Sequence, residues 1–282
     1  MRRTVDNDGF GSRWPFAGMW AGPSKESRRS IARVYVAAST GCFPELSFSD
    51  VIEVLGDLEF STVEIELNDK TDQIPPKRIV EDFDEMLRQV RDTHRFDICS
   101  FNVKIDATGD TYYERFEKIC DLAKATKVVT LTVPSGEHGT PFNQEVEHLQ
   151  KLAAIAYGRG IRIGMKSHVG CLSDDPDTVR NLCDYVPGIG LTLDPSHYLC
   201  SNNKNKSYDK LLKYVYHVHL RDSKKDRIQV RVGQGEIDYN KLITQLQNSG
   251  YRQALSIEMA PEAGLDMRQE LRTFRLLLDS LL

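Results

Sequence analysis

The sequence predicts a single α/β domain, a (β/α)8 TIM barrel, over residues 31–282. Short β-branched runs alternate with amphipathic helical stretches, there are eight such pairs, and about 250 residues is the length that eight pairs occupy. A doubly wound open sheet is the alternative, but it needs a glycine-rich phosphate turn after the first strand. The segment there, "AASTGCFPEL", is not such a turn. We find no shorter repeat or linker, which favours one domain.

Eight segments are rich in β-branched residues and have the length of buried strands. They are residues 32–39, 62–67, 97–105, 128–134, 161–167, 189–195, 216–222 and 254–259. The segments between them space apolar residues by three and four, and polar caps or glycine stops flank them, which predicts helices. These are residues 47–58, with Ser47 or Ser49 as the N-cap, and 76–93, 111–126, 141–160, 175–186, 208–215, 238–250 and 266–282.

The first thirty residues are rich in Gly, Ser, Arg and Asp and show no periodicity. We predict a disordered N-terminal tail over residues 1–30. Arg2 and Arg3 are not followed by the apolar segment of an export signal, so we do not assign one. Six cysteines lie without C-x-x-C spacing, which is typical of reduced thiols, and we expect a cytoplasmic protein.

Composition excludes several classes of partner. The chain is 40% hydrophobic and 28% charged, as soluble globular proteins are. A formal net charge of −4 gives no general attraction to nucleic acids or anionic lipids. No apolar run approaches the roughly 20 residues of a membrane span. We therefore expect neither a nucleic-acid nor a membrane partner.

Alternation within each strand indicates which residues face the barrel interior, because helix-facing positions must be apolar. In the fifth strand Ile161, Ile163 and Met165 face the helices, so Gly164 and Lys166 face inward. The polar residues assigned inward in this way are Glu64, Glu66, Lys166, Thr192, Asp194, His217, His219, Ser256 and Glu258. They gather at the carboxyl ends of the strands, where barrel enzymes place their active sites.

Three of these side chains suggest a metal site. Asp194, His219 and Glu258 offer oxygen and nitrogen donors, which suit Mn²⁺, Mg²⁺, Co²⁺ or Zn²⁺ better than a thiolate-seeking metal. His197 follows Asp194 by three residues and could orient a ligand or bind substrate. The further candidates for substrate binding are Glu64, Glu66, His168 and Arg231.

Several motifs resemble those of the xylose isomerase-like TIM barrels, the sugar phosphate isomerase/epimerase group. They are "GCFPELSFSDVIEVLGDLEFSTVEIEL", "LTLDPSH", "HVHLRDS", "VGQGEIDYNKLITQLQNSGY" and "LSIEM", and the resemblance covers about residues 32–281. It implies an enzyme of carbohydrate metabolism that moves a proton next to the carbonyl of a small sugar or sugar phosphate, through a metal-stabilised enediolate. It also makes a homodimer an expectation.

Members of this family hold one divalent metal with a Glu from strand five, an Asp from strand six, a His from strand seven and a Glu from strand eight. Asp194, His219 and Glu258 match the last three. Lys166 stands where the strand-five Glu, both a ligand and an acid/base group, would be. The resemblance thus leaves Glu258 and Lys166 as the catalytic candidates and brings metal binding into question.

Four interpretations of Lys166 stay open. Its ammonium could replace part of the charge of a metal, or a metal could stay on the other three ligands while Lys166 acts as an electrophile. It could be the Schiff-base nucleophile of a lyase, or hold together a non-catalytic sugar-binding barrel by a salt bridge. "HLRDSKKD" also has a faint likeness to endonuclease IV-like DNA repair enzymes, but the histidines that their trinuclear zinc site needs are missing.

Overall fold

The computed structural model describes residues 34–93, 96–203 and 205–282. Eight parallel strands form a closed barrel in chain order, with the first strand hydrogen-bonded to both the second and the eighth. The predicted TIM barrel is confirmed. The tail predicted over residues 1–30 lies outside the described residues.

All eight predicted strands are present, and most are one to three residues shorter than the predicted segments. Their bounds are β1 Tyr35–Ser39, β2 Thr62–Asn68, β3 Asp97–Lys104, β4 Thr130–Val133, β5 Arg162–Lys166, β6 Ile189–Leu193, β7 Val215–Leu220 and β8 Ala254–Ile257. Pattern alone finds a strand more reliably than its last residue, because the polar residues that continue the alternation also belong to the following loop.

Helices surround the barrel. They are α1 Phe48–Asp57, α2 Pro76–Glu81, α3 Phe83–Arg91, α4 Gly109–Ala125, α5 Phe142–Tyr157, α6 Pro176–Tyr185, α7 Pro195–Cys200, α8 Tyr239–Asn248 and α9 Met267–Asp279. Short 3-10 helices occupy Thr40–Cys42, Leu172–Asp174 and Asp209–Tyr214. The last of these replaces the helix predicted over residues 208–215.

The helix predicted over residues 76–93 is two helices. The chain breaks at Asp82, whose backbone leaves the helical region with φ −146° and ψ 76°. Its side chain accepts a hydrogen bond from the backbone N–H of Glu85 at 3.2 Å and caps α3. Aspartate favours this role because it satisfies an N–H that the first turn of a helix leaves free.

Apolar side chains between the strands and the helices form the core. The helix-facing residues of the strands are fully buried, as alternation predicts; examples are Ile65, Leu131, Ile163, Leu191, Val218 and Leu255. No helix in the described part of the chain is long and apolar enough to cross a membrane.

Inside the barrel, Gly164 sets the approach of β5 to β6. A Cβ atom there would lie well inside van der Waals distance of Thr192 Oγ1 and 3.1 Å from the Thr192 backbone nitrogen. With glycine in place, the hydroxyl groups of Thr192 and Thr132 hydrogen-bond across the lumen at 2.8 Å. This close-packed floor lies two residues before Lys166 on the same strand.

Candidate active site

Four charged side chains lie together at the carboxyl ends of β5 to β8. Lys166 ends β5, while Asp194, Arg221 and Glu258 follow β6, β7 and β8 directly. We call these four residues the mouth cluster. Their exposed fractions are 8%, 0%, 8% and 7%, respectively, so all four are buried. Three of them, Lys166, Asp194 and Glu258, are residues that alternation predicts to face inward.

Cations and carboxylates alternate within the mouth cluster. Lys166 Nζ donates to Glu258 Oε1 at 2.7 Å, and Arg221 Nη2 donates to Glu258 Oε2. The same Nη2 atom lies 3.2 Å from Asp194 Oδ2. Two positive and two negative groups make the cluster formally neutral, as a buried set of charges must nearly be.

Asp194 is held on its other side by the start of α7. Its Oδ1 accepts hydrogen bonds from the Ser196 backbone N–H, at 3.1 Å, and from the Ser196 hydroxyl group. Burial by itself raises the pKa of Asp194, but the positive charge of Arg221, with His197 and Lys166, outweighs it and lowers the pKa below its usual range. Asp194 is therefore an ionised carboxylate.

Burial shifts the pKa of Lys166 downward, because it disfavours the charged form of an amine. Loss of solvent, with a further contribution from the charge of Arg221, lowers the pKa of Lys166 to about 7, although Asp194 opposes the shift. Both protonation states of this amine are therefore accessible near neutral pH. A group in this range can donate and accept a proton during turnover.

Arg221 was missed by the sequence interpretation. The signal was the alternation of His217, His219 and Arg221, in which every second residue points inward. We assigned the first two because the apolar Val218 and Leu220 fix their phase, and we left Arg221 unassigned although the predicted strand, residues 216–222, contains it. Arg221 lies just past β7, yet the backbone continues the same phase for one more step.

The residue after Arg221 anchors the following loop. Asp222 Oδ2 accepts the backbone N–H groups of Gly233 and Gly235 at 2.8 and 2.9 Å, and Oδ1 accepts the Tyr239 hydroxyl group at 3.1 Å. A Cβ atom on Gly235 would collide with Asp222 Oδ1. The "VGQG" turn is thus bound to the end of β7, which fixes the backbone that carries Arg221.

A second polar group lies deeper in the barrel. Glu64 Oε2 accepts hydrogen bonds from Ser100 Oγ at 2.6 Å, His217 Nε2 at 2.6 Å and His219 Nε2 at 2.9 Å. We call these four residues the lumen cluster. Burial lowers the pKa of both histidines, so the imidazoles are neutral donors and Glu64 carries the negative charge.

The lumen cluster contains the one group, in the described part of the chain, whose acidic and imidazole ligand atoms converge enough to hold a metal ion. One ligand atom each from Glu64, His217 and His219 lies within 4.8 Å of the others. Glu64 Oε1 and His219 Nδ1 are buried without a hydrogen-bond partner. These three residues fit a divalent metal.

The predicted ligand set of Asp194, His219 and Glu258 does not converge in this way. Arg221 lies against both carboxylates, and His219 turns its Nε2 atom to Glu64. Placement of a metal on these three residues stays a prediction.

The predicted substrate-binding residues differ in where they lie. His197 is buried and its ring stacks on His168, with the centroids 4.4 Å apart. Burial lowers the pKa of His197 to about 3, so it is neutral, with Nδ1 accepting the Val169 N–H and Nε2 3.5 Å from Asp194.

Glu66 and Arg231 have other partners. Glu66 accepts hydrogen bonds from Lys104 Nζ at 2.6 Å and Asn68 Nδ2 at 2.8 Å. Arg231 is exposed and donates to the carbonyl oxygen of Gly264 at 2.9 Å, rather than to a member of the mouth cluster. Substrate contacts by these two residues stay predictions.

Comparisons with known proteins agree with the barrel fold. The family model of the xylose isomerase-like TIM barrel matches residues 52–277. No curated protein sequence matches the chain significantly. Among solved structures, D-allulose 3-epimerase from Methylomonas sp. is 16% identical, with a TM-score of 0.69 over 89% of this chain and 98% of that one.

Two further structures are similar over nearly the same extent. 3-Keto-D-glucoside 4-epimerase from E. coli is 14% identical, with a TM-score of 0.68 over 88% of this chain and all of that one. The IolI protein, solved with a bound zinc atom, is 18% identical, with a TM-score of 0.67 over 88% of this chain and 98% of that one. With a closed eight-stranded barrel and a family match over most of its length, the chain belongs to the xylose isomerase-like TIM barrel family.

Proposed function

We propose that this chain is a sugar isomerase or epimerase that moves a proton next to the carbonyl group of a small sugar or sugar phosphate. The observation that carries the proposal is the buried contact of Lys166 Nζ with Glu258 Oε1, at 2.7 Å, in the mouth of the barrel. An amine and a carboxylate in contact there form an acid/base pair where this fold places catalysis. The family and the sugar epimerases of the same fold support this class of reaction.

In the proposed reaction Glu258 takes the proton from the carbon next to the carbonyl group. The C–H electron pair forms the new C=C bond, and the carbonyl electron pair moves to the oxygen. Lys166, as the ammonium ion, donates a hydrogen bond or its proton to that oxygen and stabilises the enediolate. The hydroxyl group on the first carbon then gives its proton, through Lys166, to the oxygen of the former carbonyl group, and its electron pair forms the new C=O bond. Glu258 returns the carbon-bound proton to the neighbouring carbon, which gives the isomer. One base on one face suits isomerisation better than epimerisation.

Unpartnered polar atoms around the site support a polyhydroxylated substrate. Asn102 Nδ2, His197 Nε2 and Ser256 Oγ are buried without a hydrogen-bond partner. Buried polar atoms are rarely left unpaired, and each deserves a cause. Sugar hydroxyl groups can both donate and accept, so they would satisfy an amide, an imidazole and a hydroxyl group together.

The metal that the family resemblance implies does not fit the mouth cluster. Lys166 stands at the fourth ligand position, and in its protonated form, which donates to Glu258, it has no lone pair to offer. We therefore assign no step to a metal there. Glu64, His217 and His219 would hold a divalent ion in the lumen cluster, which when bound supplies positive charge beneath the substrate.

Isotope exchange tests the proposal. Purified protein is incubated in D₂O with a panel of keto-sugars, aldoses and their phosphates, and NMR follows deuterium incorporation next to the carbonyl group. We expect exchange and product formation with at least one sugar, and loss of both in K166M and E258Q. The matched control is K225M, which removes an exposed lysine.

Other outcomes point to the alternatives. Sugar binding by calorimetry without exchange would indicate a non-catalytic binding barrel. Borohydride trapping of a ketose on Lys166 would indicate a Schiff-base lyase. Cleavage of abasic DNA would indicate a repair enzyme, which the net charge of −4 does not favour.

We further propose that the protein is cytoplasmic and forms a homodimer. The six cysteine thiols without C-x-x-C spacing support the first, and the resemblance to barrels that pair through their outer helices supports the second. Fractionation of cells and light scattering of the purified protein would check them.

A further inference from the structure

We infer that the Lys166 ammonium group and the Arg221 guanidinium group together take the place of the divalent metal at the mouth of the barrel, so that Asp194 and Glu258 bind no metal ion. The metal content follows from these four residues alone. That the two cations then polarise the substrate oxygen rests on the proposed function.

The charges of the mouth cluster already balance. Asp194 and Glu258 supply two negative charges, and Lys166 and Arg221 supply two positive charges within 3.2 Å of them. A divalent ion added to this set would leave an excess of two positive charges in a buried site. Burying uncompensated charge is strongly unfavourable, so the ion must displace the cations or stay out.

The cations also occupy the ligand atoms. Lys166 and Arg221 engage one oxygen each of Glu258, and Arg221 lies against Asp194 Oδ2, while Ser196 occupies Asp194 Oδ1. His219, the remaining expected ligand, has its Nε2 atom on Glu64. A metal would have to break contacts of all three expected ligands and would find a donor, not an acceptor, at Lys166.

The two cations depend on each other. Lys166 alone would leave Asp194 without a cation in contact, since its ammonium group hydrogen-bonds to Glu258. Arg221 bridges the two carboxylates because its planar fork presents several N–H groups at once. The pair therefore supplies what a single divalent ion would: two charges shared between two carboxylates.

The hydrogen-bonding capacity of the mouth cluster is not fully used. Arg221 Nε is buried without a hydrogen-bond partner, and Asp194 Oδ2 makes no hydrogen bond of good geometry. A set of salt bridges selected only for stability would satisfy these atoms. The unpaired Arg221 Nε donor is instead available to a substrate oxygen.

Metal content tests the inference. The parent protein, D194N, H217Q and the double variant K166E/R221G are dialysed against Mn²⁺, Co²⁺ or Zn²⁺ in turn, and bound metal is measured by mass spectrometry with thermal shift in parallel. We expect the parent to bind no metal that D194N fails to bind. The double variant should take up about one equivalent and gain several degrees in Tm on metal addition.

One result overturns the inference: stoichiometric metal in the parent that is lost in D194N. Asparagine keeps the oxygen that caps α7 but removes a charge that Arg221 faces, so circular dichroism first checks that D194N is folded. Metal that is lost in H217Q and kept in D194N lies in the lumen cluster and supports the inference for the mouth. If K166E/R221G does not fold by circular dichroism, the parent and D194N measurements decide alone.

Turnover separates this inference from the proposed function. Isotope exchange that survives chelation in a metal-free parent supports both. A metal-free parent that exchanges no sugar contradicts the proposed function but still supports the inference about the metal.

Discussion

Two polar layers share the interior of this barrel, and they solve the burial of negative charge differently. In the lumen cluster one carboxylate, Glu64, is satisfied by three neutral donors at 2.6–2.9 Å. In the mouth cluster two carboxylates are matched by two full cations. The lumen cluster is 0–1% exposed, while both cations of the mouth are 8% exposed.

The difference shows what each layer can do. Neutral donors around a single charge suit a site that water does not reach, because no second charge needs to be desolvated. Salt bridges at the edge of solvent can open when a ligand arrives, since water or substrate replaces the lost contact. We therefore expect the lumen cluster to carry stability and the mouth cluster to carry chemistry.

The largest expected effect lies in the mouth. E258Q removes the proposed base while keeping the shape of the side chain, so we expect isotope exchange to fall by about 10²–10⁴-fold. Chemical denaturation should show a much smaller change. If E258Q were instead much less stable, and its folded fraction exchanged at the full rate, the mouth cluster would carry stability rather than chemistry.

The next effect lies in the lumen. E64Q removes the negative charge that accepts three hydrogen bonds at Oε2, and it buries an amide N–H group on the side of Oε1, where Glu64 has no partner. We expect unfolding to become easier by about 1–3 kcal/mol. Urea unfolding measures this change. If E64Q abolished exchange at unchanged stability, the lumen cluster would itself belong to the chemistry.

The floor between the layers offers a comparable test. G164A places a methyl group against Thr192 and should cost about 1–3 kcal/mol by overpacking. The matched control is G158A, where a Cβ atom meets nothing within 4 Å and the backbone is helical, φ −62°. We expect G158A to be neutral or slightly stabilising. Equal destabilisation of both would show that the close approach of β5 to β6 is not what needs glycine.

The smallest effect sharpens the comparison with a buried carboxylate outside both clusters. Glu145 accepts one hydrogen bond, from Gly136 N–H at 3.0 Å, and burial raises its pKa. A raised pKa means that folding favours the protonated acid, so stability falls as pH rises from the unfolded pKa through the folded one.

E145Q keeps an oxygen for Gly136 and removes this penalty. We expect Tm to exceed that of the parent by about 2 °C above neutral pH, with the gain shrinking toward pH 4. The control is E147Q, an exposed change on the same helix. A constant gain at every pH would show that the charge of Glu145 is not its cause.

Alternation was enough to predict the barrel and the inward phase of Lys166, Asp194, His219 and Glu258. It works because helix-facing positions must be apolar, which leaves polar residues only one direction. It could not predict that Lys166 contacts Glu258, since that depends on the shear and radius of the closed barrel.

The missed features are those that lie beyond the strands. Arg221 follows the last residue of β7, and α7 starts at Pro195 immediately after β6. Asp194 follows β6 and caps α7, and a pattern of apolar residues does not show where one element ends and the next begins. The break at Asp82 is another such junction, because the spacing of apolar residues does not show that α2 ends and α3 begins there.

The loop that Asp222 anchors offers a position for a fluorescent label near the mouth cluster. Its tip is a tight turn in which Lys224 and Arg227 exchange backbone hydrogen bonds at 2.9 and 3.1 Å, with Lys225 and Asp226 exposed between them. Because Asp222 closes the loop at its base, a fluorophore attached at the tip would not shift Arg221. Such a label would report, from outside the barrel, when a ligand enters.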